Sequence, residues 1–153
     1  RPLCCGRTYL AAGLIERARS EARRTLAALE PFIARDVPVI GIEPACLLTL
    51  RDEFTALLPG PGTEKLAAQA LLFEEFLAAE ADGGRLDLRL KPLAERRALV
   101  HGHCHQKAFG TMAAVTRTLG LVPNLEVEVI EVDVADADGS EEIVVEERAS
   151  DRA

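Results

Sequence analysis

Tryptophan is missing from this chain, there is one tyrosine and one methionine, and aromatic residues make up 4% of its 153 positions. Any core must therefore be aliphatic. No apolar run approaches the roughly 18 residues of a membrane span, so no transmembrane helix is expected. No charged-then-apolar leader precedes Leu3, and position 1 is Arg1 rather than methionine. Both features fit a chain without a signal peptide that was cut from something longer. There is no CxxC pair, since the third residue after Cys46 is Thr49. Basic residues are not interleaved with aromatics, which leaves nucleic-acid binding without support.

What is present is ample aliphatic material. Hydrophobic residues make up 48% of the chain and charged residues 28%, which excludes a wholly disordered polypeptide, and the length suits one domain. The net charge of −7 is unevenly spread. Residues 126–153 carry eleven acids against two bases, and residues 1–125 carry fourteen against sixteen. The expected folded part, 1–134, is thus close to neutral. The expected tail, 135–153, is acidic and reads as flexible or as a weak hairpin strand around Ile143-Val144-Val145.

Periodicity predicts an α/β fold. Leu10, Leu14, Ala18, Ala22 and Leu26 form one face of a helix over 10–29, ended or kinked at Glu30-Pro31. The short β-branched run Val37–Ile42 reads as a buried strand. A helix over 45–58 and another from an N-cap at Thr63 to Ala81 follow, the second with Leu66, Ala70, Phe73 and Leu77 on one face. A strand at 98–100, a helix over 107–119 and a strand over 125–134 complete the described pattern. No internal repeat of fixed period stands out. Apolar strands alternating with helices argue for a partial parallel sheet flanked by helices.

The four cysteines fall at the joints of this pattern. Cys4-Cys5-Gly6 precedes the first helix, Cys46 opens the helix after the first strand, and Cys104 opens the helix after the second. Open α/β sheets bind ligands beyond the C-terminal ends of their strands, where helix N-termini also point. The Cys5, Cys46 and Cys104 sulfurs are therefore expected on one edge, within roughly 10 Å of each other. The helix dipole should favour thiolates there. All three histidines surround Cys104 in His101-Gly102-His103-Cys104-His105-Gln106-Lys107. In an extended segment the histidines share one face and Cys104 takes the other. Thiolate plus imidazole suits iron–sulfur, zinc or copper.

Plainer readings compete. A free cysteine is most often a small buried hydrophobe, the histidines suit a polar strand end, and Glu43-Pro44 suits a strand-ending turn. A catalytic role for Cys104, activated by a neighbouring histidine, is a further alternative. Disulfides are not expected without a secretory signal.

Three stretches, Cys4-Cys5-Gly6, Glu43-Pro44-Ala45-Cys46 and His101–Lys107, resemble the cysteine-rich CCG domain of iron–sulfur oxidoreductases. That domain occurs in iron–sulfur subunits of glycolate oxidase and of anaerobic glycerol-3-phosphate dehydrogenase, and in a cysteine-rich subunit of heterodisulfide reductase. The longer wording CCGRTYLAAG, EPACLLTLRDEF and HGHCHQKAFG is most similar to the C-terminal part of fusion proteins joining a D-lactate or glycolate dehydrogenase-type FAD module to iron–sulfur modules. The resemblance extends to about residue 130. Two departures stand out. The opening cysteine of the first motif copy would lie before Arg1, and the second CCG is replaced by Asp136-Ala137-Asp138-Gly139.

The resemblance implies a partial electron-transfer domain holding a 4Fe-4S-type cluster, possessing no catalytic residue of its own and so forming only part of an oxidoreductase. Cys4, Cys5, Cys46 and Cys104 would be the thiolate ligands. His103, His105, Glu43 and Lys107 would surround them, with Lys107 offsetting negative charge. FAD would reside in the parent protein, and the partners would be a flavin-containing dehydrogenase domain or subunit and a ferredoxin-type domain. The location implied is cytoplasmic, reaching the inner face of a membrane only through partners. The alternative from another class is a zinc-binding or purely structural α/β module.

Overall fold

The computed structural model describes residues 2–130. The expected end of the last strand beyond Ile130 and the expected tail lie outside them. The elements in order are α1 (Arg7–Ala11), α2 (Ile15–Ile33), β1 (Val39–Gly41), α3 (Pro44–Arg51), α4 (Glu53–Leu57), α5 (Pro61–Gln69) and β2 (Ala70–Leu72). There follow α6 (Phe73–Asp82), β3 (Arg97–Val100), α7 (Cys104–Ala108), α8 (Met112–Leu119) and β4 (Glu126–Val129). The α/β class is as expected. The single partial sheet is not: the strands form two separate parallel pairs, β1 with β2 and β3 with β4.

Several boundaries differ for identifiable reasons. The helix expected over 10–29 is split, because Gly13 turns left-handed at φ 71° and closes α1 through its N–H to the Leu10 carbonyl. On the far side α2 runs through Pro31 to Ile33, whose side chain is anchored in the core. Thr63 does not cap a helix. It lies in the first turn of α5, buried, with its hydroxyl donating to the Leu58 and Gly60 carbonyls. The long helix expected to Ala81 is interrupted by β2, whose Ala70 and Leu72 are buried against β1 and α3. Leu72 N–H donates to the Glu75 carboxylate, which also receives Arg51, so the chain leaves the strand and re-enters helix at Phe73. Tertiary burial here overrides local helix propensity.

The core lies in the first half. Ala18, Ala22, Ile33, Leu47, Leu48, Leu50, Phe54, Leu57, Leu66, Ala70 and Leu72 form one cluster, assembled from α2, α3, α4, α5 and β2. Each large side chain in it contributes about 1.5–3 kcal/mol relative to exposure. Among the described residues after Leu72, no hydrophobic side chain is fully buried. Residues 85–96 have no regular structure, and Leu88, Leu90 and Leu93 stand exposed along them.

Candidate metal centre

The CCG segment is seated on α2. Thr25 Oγ1 donates to the Cys4 carbonyl at 3.0 Å, and Arg24 donates to the Pro2 carbonyl at 3.3 Å. Gly6 is required twice over. Its φ of 80° is left-handed, and a Cβ there would stand 3.2 Å from the Ala18 carbonyl oxygen. The Gly6 carbonyl then accepts the Tyr9 and Leu10 N–H groups of α1. With the loop so fixed, Cys4 and Cys5 diverge. The Cys4 sulfur accepts the Gly6 N–H at 3.4 Å. The Cys5 thiol reaches Cys46, and the two sulfurs stand 3.1 Å apart across 41 residues of sequence. All four cysteines are free thiols.

Cys46 comes to that point through β1 and the cap of α3. Glu43 precedes Pro44, which suits the first turn of a helix. The Glu43 carboxylate accepts the N–H groups of Ala45 and Cys46. Partial burial opposes its ionisation, but hydrogen bonds from the Cys46 thiol and those two N–H groups, with a smaller favourable electrostatic contribution from nearby His103, hold it below its ordinary value. The consequence for Cys46 reverses the thiolate expectation. Partial desolvation of the sulfur, although the residue is exposed, together with the Cys5 thiol and the Glu43 carboxylate pushes the Cys46 thiol from 9.0 up to about 12. The helix N-terminus is already taken by a carboxylate, so its field stabilises Glu43 and leaves the thiol beside a negative charge.

The histidine segment approaches from the other half. It is extended only as far as His103, and α7 begins at Cys104, so the alternation of faces expected across 101–105 does not hold. A capping arrangement explains the turn. His103 Nδ1 accepts the His105 N–H at 3.2 Å, and His103 N–H donates to Gln106 Oε1 at 3.3 Å. Gln106 is buried and donates onward to Glu74 at 2.9 Å. The His103 and His105 rings lie 5.1 Å apart. Arg7, in the first turn of α1, lies 2.6 Å from His105 Nε2. A guanidinium can only donate, so Nε2 accepts and the neutral ring carries its proton on Nδ1. That Nδ1 is buried with no hydrogen-bond partner among the described residues.

The structure therefore joins Cys5, Cys46 and Glu43 directly, with His103 close to Glu43 and His105 tied to the segment after CCG. Cys104 is exposed at the first position of α7, which packs against α3. No hydrogen bond links its sulfur to the Cys5–Cys46 pair. Lys107 and His101 are exposed. Among the described residues, no group of three or more His, Cys, Asp or Glu side chains is arranged to hold a metal ion. The positioning residues Arg7, Arg24, Thr25 and Gln106 were missed from sequence. Only the His103-x-x-Gln106 spacing offered a signal, as a capping box with an unusual cap residue. A groove of about 620 Å³ lies elsewhere, between Arg19 and Arg23 of α2 and residues 56–63.

No family model, curated protein or solved structure matches this chain.

Proposed function

We propose that this chain is part of an iron–sulfur electron-transfer domain, from an oxidoreductase whose flavin module acts on a D-2-hydroxy acid of the lactate or glycolate type. The observation that carries the reading is the 3.1 Å approach of the Cys5 and Cys46 sulfurs. It brings the CCG and EPAC segments to one point, and the Arg7–His105 contact draws the HGHCHQK segment toward it.

The donor set fits in part. Cys5 and Cys46 suit a pair of thiolate ligands, and Cys4 and Cys104, each on an adjoining segment, are the next candidates. A bound cluster would supply one-electron redox chemistry. This chain's own residues do the rest. Thr25 and Gly6 fix the CCG loop, Glu43 orients the first turn of α3, and Cys46 must give up its proton to bind metal. His105, with Nε2 engaged by Arg7 and its buried Nδ1 unpartnered among the described residues, would serve a bound cluster as a hydrogen-bond donor rather than as a ligand. Lys107 contributes positive charge from α7. A flavin-containing dehydrogenase domain or subunit and a ferredoxin-type domain are the partners this reading proposes. Among the described residues no helix is long and apolar enough to cross a membrane. A cytoplasmic location remains part of the proposal.

A zinc site is the second reading. Two thiolates on one tetrahedral zinc, with bonds of about 2.3 Å, stand about 3.8 Å apart, so the pair would open by about 0.7 Å from the 3.1 Å found. Anaerobic reconstitution of the full chain with iron and sulfide separates the two. A broad absorption band near ~400 nm is expected for thiolate-ligated iron. Stoichiometric zinc uptake with no such band after reconstitution would replace the first reading with the second.

A further inference from the structure

We propose that Cys5 and Cys46 form a reversible disulfide, making this pair a thiol–disulfide exchange site for low-molecular-weight disulfides. The proposal stands on the two sulfurs and holds whether or not a metal uses them. Their 3.1 Å separation exceeds a disulfide bond of about 2.05 Å by about 1 Å, which side-chain rotation can supply. The two residues lie on separate, well-anchored segments. Cys5 sits in a loop pinned by Thr25 and by the close approach of Gly6 to Ala18, and Cys46 sits in the first turn of α3 under the Glu43 cap. Helices α1 and α3 pack directly against each other. Cys46 is exposed and Cys5 half-buried, so a small disulfide can reach the pair. Cys4 is turned to the Gly6 N–H and Cys104 makes no hydrogen bond to either sulfur, which singles out this pairing among the possible ones.

The exchange balances without a metal. One protein thiol loses its proton to solvent and, as the thiolate, attacks a sulfur of RSSR, forming a mixed disulfide and releasing RS⁻, which takes up a proton to give one RSH. The second protein thiol attacks the protein-bound sulfur of that mixed disulfide, closing the Cys5–Cys46 bond and releasing a second RSH. The protein loses two electrons and two protons, and RSSR gains them. The bond ties the CCG loop to α3 across 41 residues and withdraws both sulfurs from metal binding.

The test uses the full chain, stripped of metal with a chelator and equilibrated anaerobically with mixtures of oxidised and reduced glutathione. Free thiols are then alkylated and tryptic peptides read by mass spectrometry with fragmentation. The expected product links peptide 1–7 to peptide 36–51 with the loss of two hydrogens, fragmentation placing the bond on Cys5. The free-thiol count should fall from four to two per chain. Cys4→Ser and Cys104→Ser should retain the link, and Cys5→Ser should abolish it. The proposal is overturned if the four thiols stay free at a poise that fully oxidises dithiothreitol. It is equally overturned if glutathione adducts persist unresolved, if the bond joins Cys4 to Cys5 or involves Cys104, or if only intermolecular links form.

Discussion

The two halves of the described chain use the same parallel strand pairing and reach different ends with it. In residues 2–72, β2 buries two of its three side chains, and the α2–α5 helices close over them. In residues 73–130, β3 and β4 each alternate between half-buried and exposed positions, and the only buried side chains are the polar Gln106 and Thr111. One pair is a core element, while the other is a two-stranded ribbon leaning on α8. Two strands with one half-covered face are marginal alone, so the second half depends on what it touches. The sulfur pair stands on the first half, and the histidine turn is presented by the second.

Substitutions in the two halves should differ sharply if this contrast is right. Phe54→Ala empties a fully buried site and should lower stability by about 3–5 kcal/mol. Leu99→Ala on β3, 59% exposed, should change it by no more than about 0.5 kcal/mol. Urea titration of both variants provides the comparison, and equal losses would erase it. Gly6→Ala should come next, at about 1–3 kcal/mol, because an L side chain at φ 80° meets the α2 backbone. Its thermal unfolding midpoint should fall even though no core side chain changes. Thr25→Val removes the hydrogen bond to the Cys4 carbonyl and should cost about 1 kcal/mol. It should also speed alkylation of Cys5 by freeing the loop.

The smallest effect is electrostatic. The folded state holds the Cys46 proton more tightly than an ordinary thiol does, with a value of about 12 against 9.0. The associated stabilisation is therefore complete below the unfolded value and is lost as pH rises toward the folded one. Glu43→Gln removes the neighbouring negative charge, so the Cys46 pKa should fall. Iodoacetamide labelling of Cys46 in mildly alkaline buffer should quicken, while Cys104 labelling should stay unchanged. No change at Cys46 would show that burial and Cys5 alone set its acidity.

How much of this was legible beforehand differs between the halves for the same physical reasons. Strand β1 and the opening of α3 with Cys46 followed from a β-branched run and an Xaa-Pro helix start, both local signals. The run is not the buried strand expected over 37–42, however: β1 covers Val39–Gly41, and Val37, Ile40 and Ile42 are exposed. The strand Ala70–Leu72 was hidden because Ala, Leu and Leu continue a helical face, and only pairing with β1 makes them a strand. The split between α1 and α2 turns on Gly13, which periodicity alone passes over. At the site, cysteines at helix starts led to an expected cluster of Cys5, Cys46 and Cys104 on one sheet edge. Cys5 and Cys46 meet, but β1 and β3, the strands that precede Cys46 and Cys104, belong to separate strand pairs. The acidity of Cys46 did not, because the Glu43 carboxylate occupies the helix end that was expected to act on the thiol. Arg7 and Thr25 act through long-range contacts, to His105 and to the Cys4 carbonyl, that leave no sequence pattern.

The central claim is that Cys5 and Cys46 together form the metal-binding thiolate pair. Its most direct test is anaerobic iron and sulfide reconstitution of the full chain beside the Cys5→Ser/Cys46→Ser double variant, with bound iron and visible absorption measured together. The account predicts that the wild-type chain retains iron with the thiolate-to-iron band and that the double variant loses both while still melting cooperatively. Equal iron and equal absorption in the two chains would contradict it.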